Sequence, residues 1–80
     1  MSNLVFVRVR VLHAGMPLPS ATVMLQDGGT HITGGDGSTV FVLDANRCYL
    51  GWIFARGYSQ KRISICTGDS NESVEFVVNR

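Results

Sequence analysis

The stretch that decides the fold lies near the start of the chain, where residues 4–11 read LVFVRVRV. Successive side chains of a β-strand point to opposite faces, so this pattern separates an apolar face from a mixed one. The apolar face carries Val5, Val7, Val9 and Val11, and the opposite face carries Phe6, Arg8 and Arg10. We therefore predict a half-buried strand over about residues 3–12. No later window shows a sustained helical period.

Six further segments show alternation or β-branched residues, and turn residues separate them. We place them at about residues 21–26, 31–33, 38–43 and 47–55, around Ile63 and Ile65, and at about 73–79. Residues 13–20 contain a glycine and two prolines, which favour a turn and cannot continue a central strand. About seven short strands, with a turn roughly every ten residues, predict an all-β antiparallel sandwich. A chain of this length predicts one domain, over residues 1–80.

The composition fits a small folded domain and excludes several functional classes. The chain has 80 residues, of which 45% are hydrophobic and 16% are charged, and its formal net charge is +1. This hydrophobic content excludes disorder, and the small net charge argues against electrostatic binding of nucleic acid. No apolar run approaches the roughly 18 residues of a membrane helix, so we expect no membrane span. The first residues lack the basic region of a secretory signal. We therefore expect a cytoplasmic protein or a virion component rather than one secreted through the Sec pathway.

Four groups of residues form a pattern that points to a known family. Residues 11–23 read V-x-x-x-G-x-P-L-P-x-A-x-V and residues 33–41 read T-x-x-D-G-x-x-x-F, and they are followed by Cys48-Tyr49 and Gly57-Tyr58. This pattern resembles the carboxypeptidase regulatory-like domain. That family has a transthyretin-like (prealbumin-like) Greek-key β-sandwich, similar to immunoglobulin-like sandwiches and related to Cna B-type domains. The resemblance covers nearly the whole chain, and its first group is the most specific.

The resemblance implies residues that shape the fold rather than a catalytic set. The family pattern places Gly15 and Pro17 in the first turn, Leu18 and Ala21 inward, Asp36 and Gly37 in a hairpin turn, and Tyr49 at the start of a core strand. None of these positions is catalytic in the family. The resemblance therefore implies a binding, spacer or assembly module.

Two activities found among similar folds are not expected here. Some Cna B-type domains form an isopeptide bond from a lysine near the first strand, but the only lysine of this chain is Lys61. 5-Hydroxyisourate hydrolase shares the fold and uses histidines, an arginine and a C-terminal Tyr-Arg-Gly-Ser. This chain ends with Val-Val-Asn-Arg over residues 77–80. A hydrolase of that type, with His13 as the residue to test, is therefore the least favoured alternative.

The predicted strand at residues 47–55 has apolar residues on both faces. If Tyr49, Gly51 and Ile53 face the core, the outer face carries large apolar side chains where antiparallel sandwiches normally carry polar ones. Exposed apolar surface of this kind marks an interaction site. The predicted interface comprises Phe6, Val40, Val42, Leu50, Trp52, Phe54 and Val77. The alternative is a bulge in the strand that turns Trp52 inward, as the main aromatic residue of the core.

The two cysteines and two histidines support no metal or cofactor site. Cys48 and Cys66 fall on predicted hairpin neighbours with the same outward parity, so a cross-strand disulfide is geometrically possible. The favoured interpretation is two reduced thiols that behave as small hydrophobic residues, because the chain lacks a signal sequence. The spacing of His13 and His31 relative to the cysteines matches no metal-binding motif. We expect no metal, no cofactor and no catalytic residues.

Together these features favour a non-enzymatic structural module that self-associates. We expect a homo-oligomer or polymer, such as a filament, virion or scaffold subunit, held by the apolar outer strand face and by open sheet edges. The alternative is an accessory module that binds a carbohydrate or another protein, with Trp52 as a stacking platform.

Overall fold

The computed structural model describes residues 3–80, and in that part of the chain it contains eight β-strands and no helix. The strands are β1 (Leu4–His13), β2 (Met16–Pro17), β3 (Thr22–Leu25), β4 (Gly29–Ile32), β5 (Ser38–Asp44), β6 (Cys48–Phe54), β7 (Lys61–Cys66) and β8 (Glu72–Val77). The prediction of an all-β domain is confirmed.

The strands form two four-stranded sheets. In sheet 1, β1 lies at the centre, and Arg8 pairs with Val40 of β5 on one side and with Ser73 of β8 on the other. The short β2 lies on the same side of β1 as β5, because Leu12 pairs with Pro17 of β2 on that side and with Val77 of β8 on the other. In sheet 2 the strand order is β4-β3-β6-β7, and every pair is antiparallel.

Three details of the predicted strands are corrected by the structure. Residues 3–80 contain eight strands rather than about seven, because residues 16–17 of the predicted turn pair with β1 at the edge of sheet 1, where a proline is tolerated. The sandwich is not purely antiparallel, because β1 and β8 are parallel. The strand predicted at residues 31–33 begins earlier, at Gly29, where the turn from β3 ends.

The core lies between the sheets and uses one face of each long strand. All four valines of the predicted inner face of β1 are buried. The other buried hydrophobic residues are Ala21, Val23, Leu25, Phe41, Leu43, Tyr49, Ile53, Ile63, Ile65 and Val78. Val74 and Phe76 pack against this core from β8. The alternation that predicted the strands therefore also predicted which side of them is buried.

Two buried threonines fix the loops at the ends of the sheets. Thr33 donates its hydroxyl to the carbonyl oxygen of Leu18 over 2.8 Å and accepts the amide of Ala21 over 2.9 Å. Thr67 donates to the carbonyl oxygen of Asp44 over 2.6 Å and accepts the amide of Arg47 over 3.0 Å. Polar groups buried in this way need such partners, so both threonines hold the loops while leaving the outer sheet faces free.

Candidate interaction surfaces

The outer face of sheet 2 carries five large apolar side chains, and we call this surface the Trp52 face. Its members are Met24, Ile32, Leu50, Trp52 and Phe54. The strand register places Met24 directly beside Trp52, and Thr22 lies between Ile32 and Phe54. Ile32 is 65% exposed and Leu50 is 56% exposed, whereas Trp52 is half-buried among its neighbours.

The register of β6 with β7 decides the orientation of Trp52. The two strands pair without interruption from Cys48 to Ile53, so no bulge changes the alternation along β6. Gly51 and Ile53 are buried, and Trp52 points to the opposite side. The alternative in which Trp52 is the main aromatic residue of the core is therefore wrong.

One cationic side chain, Arg62, borders the Trp52 face, and the strands of sheet 2 carry no carboxylate. Arg62 pairs in register with Trp52, and Lys61 precedes it on β7. Neither cation forms an ion pair within residues 3–80. The sequences of β3, β4, β6 and β7 contain no aspartate or glutamate. Lys61 pairs with the buried Ile53 and has the inward parity of Ile63, so the strand residues of the Trp52 face contribute a charge of +1, from Arg62.

The outer face of sheet 1 carries a second apolar surface, which we call the Phe6 face. Its members are Leu4, Phe6, Val40 and Val42, which come from the paired strands β1 and β5. Phe6 lies directly beside Val42, and their exposed fractions are 54% and 51%. Because sheets 1 and 2 pack through their inner faces, the Phe6 face and the Trp52 face lie on opposite sides of the molecule.

A band of paired charges crosses sheet 1 next to the Phe6 face. Arg8 donates to Asp36 over 2.7 Å, and the guanidinium of Arg10 lies 3.9 Å from the carboxylate of Glu75. A shallow groove of about 190 Å³ between β1 and β8 is lined by the two arginines, Ser73, Val74 and Glu75. Both arginines already face carboxylates, so the groove offers no unpaired charge to a ligand.

The seven predicted interface residues divide into three groups. Leu50, Trp52 and Phe54 lie on the Trp52 face. Phe6, Val40 and Val42 lie on the Phe6 face. Val77 lies on the same side of sheet 1 beside Leu12, and the positions of Arg8 and Arg10 on β1 separate it from Phe6. Leu4, Met24 and Ile32 also lie on these two faces and were not among the predicted interface residues.

Cys48 and Cys66 lie directly opposite each other on β6 and β7 and form a disulfide bond. Both residues are exposed on the outer side of sheet 2, as their parity predicted. The favoured interpretation of two reduced thiols is therefore wrong for this structure. A directly opposed pair of cysteines on adjacent strands brings the two sulfur atoms within bonding reach.

The histidines and the predicted turn aspartate have structural contacts. His13 donates from Nδ1 to the carbonyl oxygen of Val78 over 2.9 Å, and the His31 ring packs edge-on against Phe41. Asp36 accepts the hydroxyl and amide of Ser38, and these bonds, together with Arg8, hold the pKa of Asp36 below its ordinary value of 3.8. Within residues 3–80 no group of three His, Cys, Asp or Glu side chains could hold a metal ion.

No protein-family model matches the chain, and a comparison with curated proteins found no relative. In the part of the chain that the structure describes, no helix is long and apolar enough to span a membrane.

Proposed function

We propose that this protein is a non-enzymatic assembly subunit that binds further copies of itself through the Trp52 face. One observation carries the proposal: five large apolar side chains lie on the solvent side of sheet 2, and Met24 lies directly beside Trp52. A sheet with one solvent-facing side normally carries polar residues there. Contiguous apolar surface on a small domain marks a site of protein contact.

The size of the Trp52 face sets the expected strength of the contact. The four strands of sheet 2 have four to seven residues, and a spacing of about 4.8 Å between strands and about 3.3 Å per residue gives the whole outer face roughly 330 Å². Two such faces would bury roughly 650–700 Å² in total, which lies at the low end of interface sizes, among weak and transient contacts. We therefore expect association at high micromolar concentrations rather than a permanent dimer.

A contact through the Trp52 face is favoured over strand pairing at the β7 edge of sheet 2. The free edge of sheet 2 at β7 begins with Lys61 and Arg62. Charged residues on an edge strand, lysine above all, oppose the addition of another strand. The apolar side chains of the Trp52 face do not oppose contact with a second copy in this way.

A protein partner is also favoured over a carbohydrate. A sugar platform combines an aromatic ring with polar groups that fix the hydroxyls of the ligand. Across the sheet, Trp52 has Met24 on one side and Arg62 on the other, and Leu50 and Phe54 flank it along β6. Arg62 is the only charged residue of this set, so the surroundings are suited to apolar contact.

The proposal extends to the fold family, which we propose is the transthyretin-like, carboxypeptidase regulatory-like group. The motif residues occupy positions that shape the fold: Ala21 is fully buried and Leu18 packs against the core. Gly37 has a φ of 78°, and a Cβ there would lie 2.9 Å from the amide of Leu18. Such a position requires glycine, and it joins the two motif segments at one end of sheet 1. Modules of that family bind or assemble rather than catalyse.

Sedimentation velocity from about 10 µM to 1 mM tests the proposal, because this range covers binding free energies of about 4–7 kcal/mol. The wild-type protein should sediment faster as its concentration rises. Its only tryptophan, Trp52, should shift its emission to shorter wavelength as the indole becomes buried. Leu50→Glu should abolish both changes.

Ser70→Glu is the matched control, since it adds the same charge at an exposed loop position outside the Trp52 face. It should associate like the wild type. Wild-type protein that stays monomeric at 1 mM, or Leu50→Glu protein that associates like the Ser70→Glu control, would refute the proposal.

A further inference from the structure

The disulfide between Cys48 and Cys66 lies where a second molecule can reach it. Both cysteines are exposed on the outer side of sheet 2. Cys66 belongs to β7, an edge strand of the sheet, so no further strand of residues 3–80 pairs with it on its outer side. Thiol–disulfide exchange begins when a thiolate attacks one sulfur, and its rate depends on access to that sulfur. An exposed bond at a sheet edge meets this condition.

The strands around the bond are held together without it. On one side of the bond, Tyr49 pairs with Ile65, and both side chains are buried in the core. On the other side, the amide of Thr67 donates to the carbonyl oxygen of Arg47 over 2.8 Å, and the Thr67 hydroxyl accepts the amide of Arg47 over 3.0 Å. Cleavage of the S–S bond therefore leaves β6 and β7 in register, and it does not require the domain to unfold.

The register also keeps the two sulfur atoms opposed after the bond has opened. Cys48 stays directly across from Cys66, because the pairing on both sides fixes its position. Groups held within reach of each other react at a high effective concentration. After a first exchange, the freed thiol therefore returns to the mixed disulfide before a second monothiol molecule arrives. A dithiol avoids this reversal, because its own second thiol resolves the mixed disulfide.

We propose that Cys48 and Cys66 form a reversible redox site that exchanges two electrons with dithiols while the domain stays folded. A thiolate of the dithiol attacks Sγ of Cys66, a mixed disulfide forms, and Cys48 leaves as a thiolate. The second thiolate of the dithiol then attacks the dithiol sulfur of the mixed disulfide, and Cys66 is released. The protein gains two electrons and two protons as two thiols, and the dithiol becomes a disulfide. The reverse sequence closes the protein bond again.

Reduction of the folded protein tests the proposal. Protein oxidised with oxidised glutathione is incubated with dithiothreitol at about 10 µM protein, well below the range expected for a weak contact between copies, so the test does not depend on self-association. The free thiols should rise from none to both cysteines, while circular dichroism shows a folded domain. Removal of dithiothreitol and addition of oxidised glutathione should remove these thiols again. The monothiol 2-mercaptoethanol, at equal thiol concentration, should reduce the bond at least about tenfold more slowly.

Urea below the unfolding transition separates exchange in the folded protein from exchange after unfolding. Direct attack should change by less than about twofold for each 1 M urea, whereas reduction through the unfolded chain should accelerate by about fivefold or more, as the unfolded fraction does. The rate of direct attack should also rise in proportion to the dithiothreitol concentration, whereas a rate limited by unfolding reaches a plateau. A plateau, a fivefold acceleration, or a bond that stays closed until the protein unfolds would overturn the proposal.

The Cys48→Ala, Cys66→Ala double variant tests whether the strands hold without the bond. It should give the circular dichroism spectrum of the folded wild type and unfold at the urea midpoint of the reduced wild type. A double variant or a reduced wild type that is unfolded without urea would overturn the proposal, because the open form must stay folded. Equal rates with dithiothreitol and 2-mercaptoethanol would overturn the preference for dithiols.

Discussion

Gly51 is the position where the packing of sheet 2 is tested most directly. It lies on β6 opposite Leu25 of β3, and it faces the core. A Cβ added at Gly51 would overlap the carbonyl oxygen of Met24 and would lie 2.8 Å from Cδ2 and 3.1 Å from Cα of Leu25. Two of these three atoms belong to the backbone of β3, so a change of rotamer cannot relieve the overlap.

The cost of Gly51→Ala follows from the displacement that it requires. Carbon atoms in contact lie about 3.5–4.0 Å apart, so β3 must move away from β6 by roughly 0.5–1 Å. Overpacking of a core costs about 1–3 kcal/mol, and the participation of the backbone places this substitution at the upper end. An 80-residue domain has a stability of about 4–12 kcal/mol, so a loss of about 3 kcal/mol is a large part of it. The expected decrease in Tm is about 12–24 °C.

Thermal unfolding followed by circular dichroism measures this effect, and Gly35→Ala is the matched control. A Cβ at Gly35 would have no atom within 4 Å, and its φ lies outside the left-handed region. Gly35→Ala should leave the stability unchanged or raise it by up to about 1 kcal/mol, because alanine restricts the unfolded chain. The close approach of β3 and β6 would be refuted if the two variants unfolded within about 2 °C of each other, which corresponds to less than about 0.5 kcal/mol.

Three further predictions concern contacts at the loops and the disulfide. Asp36→Asn should destabilise the protein at neutral pH. The pKa of Asp36 is lowered in the folded state, so its contribution to stability is present above about pH 4 and is lost as the pH falls through the pKa of the folded state. The urea unfolding curves of wild type and variant should therefore converge at acidic pH. A contribution that stays constant between neutral and acidic pH would contradict this. The disulfide closes a loop with a sequence separation of 18, so its removal should lower the free energy of unfolding by about 3 kcal/mol. Reductant should lower the urea midpoint of the wild type but should leave that of the Cys48→Ala, Cys66→Ala double variant unchanged. An unchanged wild-type midpoint in reductant would argue against the bond. Thr67→Val keeps the shape of the side chain but removes the hydroxyl that donates to the carbonyl oxygen of Asp44. It should destabilise the protein by about 1–3 kcal/mol, measured by urea unfolding. A loss below about 0.5 kcal/mol would contradict the role of this hydroxyl.

The strands and their buried sides could be predicted because alternation is a local property. In β1 each inward valine alternates with an outward residue, and the same rule placed Leu50 and Trp52 on the outside of β6. Met24 carries the same signal, since it lies between the inward Val23 and Leu25. Ile32 carries no such signal, because four residues of a strand that begins with glycine are too few to show a period.

The partners of the strands could not be predicted, because pairing depends on residues far apart in the chain. Nothing near Val9 indicates that Val74 lies beside it in a parallel register. The bond between Cys48 and Cys66 shows a similar limit. Parity placed the two thiols on one face, but whether they are joined depends on their exact opposition across β6 and β7 and on the redox conditions. The division of the apolar residues into two opposite faces likewise required the arrangement of both sheets.

The pairing of β1 with β8 has a consequence for how the protein is made. The backbone amide of Phe6 is bound by the side chain of Asn71, 65 positions later in the chain. At about 5–20 residues per second, a ribosome finishes this partner roughly 3–13 s after β1 is synthesised. During that time one side of β1, the longest strand of residues 3–80, has no partner, although β5 can already pair with the other. The nascent chain is therefore open to unwanted strand pairing for seconds, and a factor that covers β1 during synthesis should raise the yield of folded protein.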